Sequence, residues 1–272
     1  MKHLLTLNDW SDEQLHQVLD LALEVKANPS AYENHMHRKT LFMLFEKPSL
    51  RTRVSFEVAM NQMGGHALYY DLSNSPLGSG KETIADTIKV VSRYGDIVMA
   101  RVYEHTELVE MVAHAEVPVI NGLSDYSHPC QIVADLLTIR EHKGVLKGMT
   151  LAYLGDCNNN VTHSLLFGAA KVGMHVQLGC PRGATYEPLP EVLESATAMA
   201  EKNGASVSVS HDAAEAASGA DVVYTDSWMS YHIPKDELDQ RVAALEPYQV
   251  NAPLMKSAKP DAIFMNCLPA IR

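Results

Sequence analysis

The protein has 272 residues, of which 46% are hydrophobic and 20% are charged, a composition typical of a globular protein with one large or two ordinary domains. Its 33 Asp and Glu outnumber its 22 Lys and Arg, giving a formal charge of −11 with His neutral, which speaks against a general nucleic-acid binder. No apolar run reaches the roughly 18 residues that a membrane span needs. The N-terminal segment becomes polar too soon for a signal peptide, and the four cysteines show no Cys-x-x-Cys spacing. The sequence therefore predicts a reduced, cytoplasmic protein without a membrane or nucleic-acid partner.

In the first half of the chain, short apolar runs alternate with stretches of helical periodicity. The apolar runs predict strands over residues 40–45, 67–70, 96–100 and 117–120. Helices are expected between them. One is marked by Phe56, Ala59, Met60 and Met63 at helical spacing and is ended by two glycines. Such alternation is typical of a mostly parallel sheet covered by helices.

A long helix is predicted over residues 129–142, followed by a loop with two glycines over 143–148. The strand and helix pattern then restarts, with strands over 150–154, 175–178, 206–209, 221–224 and 262–265. We predict an α/β protein with two similar-sized three-layer α/β/α domains and mostly parallel sheets. The domains are expected at residues 1–142 and 143–272, joined by the helix over 129–142.

Because ligands of open α/β sheets bind beyond the carboxyl ends of strands, the residues after each strand are the candidates for function. Ser49-Leu50-Arg51-Thr52-Arg53 follows the first strand and opens a helix. The positive end of the helix dipole, two hydroxyls and two guanidinium groups suit a phosphate. The alternative is an ordinary helix cap with two solvated arginines.

Three further candidates lie in the first half or at its end. Arg101 follows the third predicted strand, although a single Arg there is more often a surface residue. His128 precedes Pro129 and the start of the long helix, where it can aim a donor at a carbonyl oxygen. A packing or capping His explains this position equally well. Gln131, one turn further on, is placed to reach the same point.

The second half offers polar residues at several strand ends. Three asparagines, 158–160, follow the first strand there and suit a polar or zwitterionic ligand, or simply a turn. Asp226 stands at a strand end, where it can hold an ammonium group. Cys267 follows the last strand, a position at which a thiol is usually buried and inert. No Gly-x-Gly-x-x-Gly is present, so a dinucleotide site is poorly supported. His35-Met36-His37 is too short for a metal site, and no metal is expected.

Together these residues resemble the aspartate/ornithine carbamoyltransferase family, and within it the ornithine branch. Five segments match its motifs in order: Ser49-Leu50-Arg51-Thr52-Arg53 (Ser-x-Arg-Thr-Arg), His128-Pro129-Cys130-Gln131 (His-Pro-Cys-Gln), Asn159-Asn160 with Ser164, Asp226-x-Trp228-x-Ser230, and Cys267-Leu268-Pro269. The resemblance runs over the whole chain. It implies transfer of a carbamoyl group from carbamoyl phosphate to the δ-amine of L-ornithine, giving L-citrulline and phosphate. It also implies a homotrimer or a multiple of trimers, and no metal or organic cofactor.

The resemblance assigns roles residue by residue. The residues expected to bind carbamoyl phosphate are Ser49, Leu50, Arg51, Thr52, Arg53, Arg101, His128 and Gln131. The residues expected to bind ornithine are Asn160, Asp226, Ser230, Tyr231, Cys267 and Leu268. The residues expected to act in catalysis are Arg101, His128, Asp226 and Cys267, the first two on the carbonyl oxygen and the last two at the reacting amine.

The sequence departs from the family at several places, among them the loop 76–82, where Pro76 stands in place of a Gln. Tyr231-His232 replaces Met-Gly in the loop that selects the amine, and Asn266 replaces the His before Cys267. Relatives continue beyond this motif through a further helix, so domain 143–272 is expected to lack the family's C-terminal return helix. Two alternatives follow from these departures. One is a carbamoyltransferase for another amine, such as putrescine or a modified ornithine, and the other is an inactive regulatory paralogue.

Overall fold

The structure is a computed structural model that describes residues 3–229 and 233–270, and the chain forms two compact units. The first unit comprises the described residues up to Trp10 together with Gln17–Cys130. The second comprises Ser11–His16 and the described residues from Gln131 onward. The chain thus passes from the first unit to the second within the first turn of the helix that was expected to join two domains.

The elements have the following bounds. In chain order the helices are α1 (Asp12–Ala27), α2 (Leu50–Gln62), α3 (Ile84–Tyr94), α4 (His105–His114), α5 (Pro129–Lys143), α6 (Asn160–Lys171), α7 (Pro190–Lys202), α8 (Ala213–Ala217), α9 (Leu238–Leu245) and α10 (Ala252–Met255). The strands are β1 (Thr40–Phe45), β2 (His66–Asp71), β3 (Ile97–Arg101), β4 (Val119–Leu123), β5 (Thr150–Leu154), β6 (His175–Gly179), β7 (Val207–Ser210), β8 (Val222–Thr225) and β9 (Ile263–Asn266).

The sheet of the first unit has the order β2-β1-β3-β4, and each pair of neighbours is parallel. Successive β1 side chains face opposite sides of the sheet. Leu44 packs with Ile88 of α3 and Leu108 of α4. Met43, on the other face, packs with Met60 of α2. Helices therefore cover both faces of this sheet, and the three-layer prediction is confirmed for this unit.

The sheet of the second unit has the order β7-β6-β5-β8-β9 and is also parallel throughout. Ala152 of β5 packs with Ala216 of α8 on one face. The neighbouring residue Leu151 faces the other side of the sheet and pairs with a residue of β6 that in turn pairs with Val207 of β7. Val207 packs against alanines of α6 and α7, so helices cover this face too. The second unit is therefore a three-layer α/β unit as well, as the sequence predicted.

The predicted bounds of the second, third and fourth strands differ from the structure by one to three residues at each end. β3 continues through Arg101, because that residue still pairs with Phe45 and Leu123 in the parallel ladder. β4 begins at Val119 rather than at 117, since Pro118 has no N–H to donate to the ladder. Arg101 is thus the last residue of a strand rather than a residue after it, which fixes its backbone at the sheet edge.

Each sheet has one point at which the strand order reverses direction. In the first unit it lies between β1 and β3, and in the second between β5 and β8. Connections on the two sides of such a point diverge and leave a crevice at the carboxyl ends of the strands, where ligands of doubly wound sheets bind. Each unit thus places one candidate binding site by topology alone.

Candidate active site

The first candidate site begins at the N-terminus of α2, after β1. Ser49 is the N-cap residue in an extended conformation, and its side chain accepts a hydrogen bond from the Thr52 N–H. The Ser49 hydroxyl also donates to Thr52 Oγ1 at 3.1 Å. A capped helix start presents N–H groups and the positive end of the helix dipole, and both favour an anion. The local sequence therefore folds into a capped helix start, and the binding of an anion there stays a prediction.

Arg101, at the end of β3, and His128, in the loop after β4, lie near this turn. Arg101 is only 5% exposed, and its Nη1 lies 3.5 Å from Thr52 Oγ1. His128 follows β4 and is also buried. Burial lowers the pKa of His128 to about 3, and the positive charges of Arg101 and Arg51 lower it further in the same direction. The imidazole is therefore neutral at physiological pH, so it acts as a hydrogen-bond donor and not as a cation.

Two residues of the α2 motif point their side chains elsewhere. The Leu50 side chain is 76% exposed. Arg53 Nε donates to Glu57 Oε1 at 2.9 Å, one turn along the helix, and its guanidinium lies over the Tyr69 ring at 4.0 Å. The binding of phosphate by the Arg53 side chain stays a prediction, whereas Ser49, Thr52, Arg101 and His128 are brought together.

Lys47 is a buried cation near this turn that sequence reasoning missed. Its side chain is 2% exposed, and its Nζ lies over the Tyr103 ring at 4.4 Å. Burial and the charge of Arg101 lower the pKa of Lys47, while nearby carboxylates, among them Asp125 and Glu46, raise it. In the sequence, Lys47 is marked only by its position just after a predicted strand. That position does not indicate that its side chain is buried.

The second candidate site lies at the carboxyl ends of β8 and β9. These strands are parallel neighbours, with Thr225 opposite Asn266, so the next residues, Asp226 and Cys267, leave the sheet side by side. Both side chains are partly buried. The pKa of Asp226 is raised to about 7, mainly by burial. The charges of nearby carboxylates also raise this pKa, whereas a hydrogen bond from the Ser227 N–H lowers it. A carboxylate that is costly to ionise in isolation favours a cationic partner.

The loop after β5 borders the same reversal point. Asn159 caps α6 by accepting from the Thr162 N–H at 2.9 Å, and its amide donates to the buried Tyr153 hydroxyl at 2.9 Å. Asn160 is the first residue of the helix and is partly buried. Asn159 therefore serves to build the turn, and the binding of ornithine by Asn160 stays a prediction.

A buried ion pair that the sequence did not reveal connects this loop to the loop after β8. Arg241 of α9 is 4% exposed, forms an ion pair with the buried Asp156, and donates from Nε to the Trp228 carbonyl at 2.8 Å. Its guanidinium also faces the Tyr186 ring. One side chain thus ties the loop after β5 to the loop after β8, which carries Asp226.

Gln131, in the first turn of α5, belongs to a buried hydrogen-bond network in the second unit. Its Nε2 donates to Asp135 Oδ1 at 3.0 Å, and the Tyr224 hydroxyl donates to Asp135 Oδ2 at 2.8 Å. Leu268, next to Cys267, is 51% exposed. Two further predicted ornithine-binding residues, Ser230 and Tyr231, lie outside the described residues.

Other features of the described residues bear on metal, membrane and redox chemistry. Within residues 3–229 and 233–270, no group of three or more His, Cys, Asp and Glu is arranged to hold a metal ion. No helix in the same ranges is long and apolar enough to cross a membrane. All four cysteines lie in the described part of the chain, and none of them forms a disulfide.

Comparison with known proteins links both sites to one family. Residues 2–141 match the carbamoyl-phosphate-binding domain of aspartate/ornithine carbamoyltransferases, and residues 147–272 match the Asp/Orn-binding domain. The chain is 48% identical over its full length to an ornithine carbamoyltransferase of Anoxybacillus flavithermus, of which it covers 85%. It is 49% identical to an ornithine carbamoyltransferase of Bacillus subtilis, of which it covers 83%.

A solved structure gives the same result. The ornithine carbamoyltransferase of Pyrococcus furiosus superimposes with a TM-score of 0.94 at 46% identity, over 100% of this chain and 86% of that one. This likeness and the two matching family domains confirm the resemblance that the sequence motifs indicated. The chain belongs to the aspartate/ornithine carbamoyltransferase family.

Proposed function

We propose that this protein transfers the carbamoyl group of carbamoyl phosphate to the δ-amine of L-ornithine and releases L-citrulline and phosphate. The observation that carries the proposal is the convergence of Thr52, Arg101 and His128, from three separate segments, at the capped start of α2. Relatives that match the whole chain at 48% and 49% identity are named ornithine carbamoyltransferase.

The first unit supplies groups for the phosphate and the carbonyl of the donor. Ser49, Thr52 and the first turn of α2 suit the phosphate oxygens, together with Arg51 and the backbone of Leu50. Arg53 is proposed for the same anion. Arg101 is a permanent cation and His128 a neutral donor, so both can hydrogen-bond to the carbonyl oxygen. That oxygen gains negative charge as the amine attacks, and preorganised donors lower the barrier of this step.

The second unit supplies groups for the amine and for the amino end of the donor. Gln131 is proposed to bind the carbamoyl NH2. Asp226 and Cys267 are proposed to position the δ-amine, because their backbone positions are adjacent and Asp226 favours a cationic partner. Asn160, Ser230, Tyr231 and Leu268 are proposed to hold the polar ends of ornithine.

The reaction forms one bond and breaks another. Ornithine's δ-ammonium, with an ordinary pKa of about 10.4 by analogy with Lys, first loses a proton, because only the neutral amine carries a free electron pair. That pair forms the new C–N bond. The C–O bond to phosphate then breaks, and its electrons leave with the phosphate. The amine loses its second proton as citrulline forms.

An amine panel tests this proposal. The purified protein is incubated with carbamoyl phosphate and, in separate reactions, with L-ornithine, putrescine, L-lysine or L-aspartate, and the ureido products are quantified. We expect L-citrulline to be the main product and the variant His128→Gln to lose most of it. More product from putrescine than from ornithine would overturn the choice of amine. Binding of carbamoyl phosphate without any product would indicate an inactive paralogue.

We also propose that the protein acts as a cytoplasmic homotrimer, or a multiple of trimers, in arginine biosynthesis. An apolar stripe on α2 supports self-association: Leu50, Val54 and Val58 are 76%, 44% and 45% exposed. They line a groove of about 540 Å³ beside the proposed phosphate site. A relative from Pyrococcus furiosus carries the name anabolic ornithine carbamoyltransferase. The assignment of residues 1–142 to carbamoyl phosphate and of 143–272 to ornithine is part of the same proposal.

A further inference from the structure

Asp135 is a buried carboxylate on α5, one helical turn beyond Gln131. Its side chain is 6% exposed, and each carboxylate oxygen accepts a hydrogen bond from a different residue, one from Gln131 Nε2 and one from Tyr224. Burial raises the pKa of Asp135 to about 6, against the two hydrogen bonds, which lower it. At physiological pH, which lies above this pKa, the carboxylate is therefore mostly ionised, and an ionised carboxylate only accepts hydrogen bonds.

Tyr224 acts in this network as a hydrogen-bond donor to Asp135. It is fully buried on β8, and its ring stacks on Tyr153 with ring centroids 5.9 Å apart. Burial and the neighbouring carboxylates raise the pKa of Tyr224, so the phenol keeps its proton and donates it to Asp135. One oxygen of Asp135 is thus committed to Tyr224, and the other faces Gln131 as an acceptor.

The side-chain amide of Gln131 has one donating and one accepting end, and the two ends are similar in shape. Because Asp135 only accepts, Gln131 must turn Nε2 toward it, and this turns Oε1 away from that carboxylate. We infer that Asp135 is a positioning residue that holds Gln131 with Oε1 outward, where it accepts a hydrogen bond from the NH2 group of carbamoyl phosphate. This inference rests on the proposed function, in which Gln131 binds that NH2.

The arrangement selects a class of substrate. Carbamoyl phosphate and acetyl phosphate differ by an NH2 in place of a CH3, which have nearly the same size. An outward acceptor oxygen favours the NH2, whereas a methyl group leaves that oxygen without a partner. The Asp135–Gln131 pair therefore discriminates carbamoyl from acyl phosphates.

The variant Asp135→Asn tests this with little change in shape. Tyr224 still needs an acceptor, so the oxygen of the introduced amide turns to the phenol and its NH2 turns to Gln131. Gln131 then flips to offer Oε1 to that NH2 and presents Nε2 outward, against the NH2 of the substrate. We expect affinity for carbamoyl phosphate to fall roughly 10-fold to 100-fold, while affinity for acetyl phosphate, used as a competitive inhibitor, changes little.

Two further variants separate positioning from a general structural role. Tyr224→Phe removes the phenol but leaves Asp135 able to accept from Gln131, so it should keep the preference for carbamoyl over acetyl phosphate. In a Gln131→Ala background, Asp135→Asn should have no further effect on that preference, because its effect passes through Gln131. Thermal unfolding of each variant reports its folding.

Affinities for the two phosphates are measured by titration calorimetry as well as by kinetics. Calorimetry measures the two affinities even if the wild type makes no citrulline. A wild type that makes no citrulline would overturn the proposed function and leave the inference about Asp135 to be decided by the affinities. An unchanged ratio of the two affinities in Asp135→Asn, with citrulline formed by the wild type, would overturn the inference alone. The inference would also be overturned if Asp135→Asn lowered the affinities for carbamoyl phosphate and acetyl phosphate equally. The same holds if Asp135→Asn changed the preference as much in the Gln131→Ala background as in the wild type.

Discussion

Arg51 carries a charge that acts on His128 as well as on the phosphate proposed to bind at the start of α2. We expect Arg51→Ala to raise the KM for carbamoyl phosphate roughly 10-fold to 100-fold, the effect of losing a charge-assisted hydrogen bond. Because the Arg51 charge lowers the pKa of His128, its removal should also raise that pKa above its wild-type value of about 3. Steady-state kinetics and NMR titration of His128 measure the two effects.

An exposed lysine gives a matched control for Arg51. Lys89 on α3 is exposed, so Lys89→Ala removes the same unit of charge away from the site. It should leave both the KM and the His128 pKa near their wild-type values. Normal affinity for carbamoyl phosphate in Arg51→Ala would contradict the assignment of the phosphate site.

The raised pKa of Asp226 predicts a pH dependence. With burial holding this pKa at about 7, the carboxylate is mostly protonated at about pH 6 and mostly ionised at about pH 8. Since the ionised form binds an ammonium group, kcat/KM for ornithine should rise through an inflection near pH 7. Asp226→Asn should lower kcat/KM and remove that inflection, while keeping the rise at higher pH that comes from the amine of ornithine itself.

The same pKa has a consequence for stability. A carboxyl whose pKa is raised in the folded state, here from 3.8 to about 7, destabilises the fold once the pH exceeds its unfolded value. Asp226→Asn should therefore unfold at a higher temperature than the wild type at about pH 8. The difference should shrink as the pH falls below about 4, where the wild-type carboxyl is protonated in both states. Calorimetric scans at a series of pH values measure this, and an equal Tm at every pH would contradict the raised pKa.

At the scale of elements, α9 holds two functional loops through one side chain. Arg241 forms an ion pair with Asp156 after β5 and donates to Trp228 after β8. Removing one partner of a buried ion pair leaves the other charge buried without compensation. We expect Arg241→Met to lower the free energy of unfolding by about 3–5 kcal/mol and to raise the KM for ornithine more than that for carbamoyl phosphate.

Two comparisons define the Arg241 experiment. Adding Asp156→Asn to Arg241→Met removes the uncompensated charge, so the double variant should recover part of the lost stability. Lys202→Met removes a cation that is 74% exposed and paired with Asp12, and it should cost at most about 1 kcal/mol. Denaturant unfolding measures all of these variants. A cost for Arg241→Met no larger than that for Lys202→Met would contradict the anchoring role.

At the scale of the whole molecule, the apolar stripe on α2 predicts self-association. Val58 is 45% exposed in the groove, so Val58→Glu would place a charge in an apolar interface. We expect the wild type to sediment as a trimer or a multiple of trimers and Val58→Glu to sediment mainly as smaller species. Val109→Glu on α4, where the valine is 53% exposed, is the matched control and should leave the assembly intact. A wild type that sediments as a monomer would contradict the proposal.

Much of the fold could be predicted because its signals are local. Apolar runs of strand length and helical repeats recur along the chain, and β-α alternation leads to parallel sheets covered on both faces. The errors at Arg101 and Pro118 arose because strand ends depend on pairing with neighbours distant in sequence. The same limit hid Asp135 and Arg241, whose partners Tyr224 and Asp156 lie 89 and 85 residues away.

The sequence by itself determined the fold class, the family and the residue types at the strand ends, since these follow from short-range periodicity and from motifs that are contiguous in the chain. Only the tertiary structure decided the chemical state of those residues. His128 is neutral because packing buries it, and Asp226 has a raised pKa because packing partly buries it. Gln131 has a defined orientation because a buried acceptor faces it. The charge of a side chain depends on its burial, and the direction of its hydrogen bonds depends on which groups lie next to it. Burial and neighbours are both fixed only when remote segments of the chain pack together.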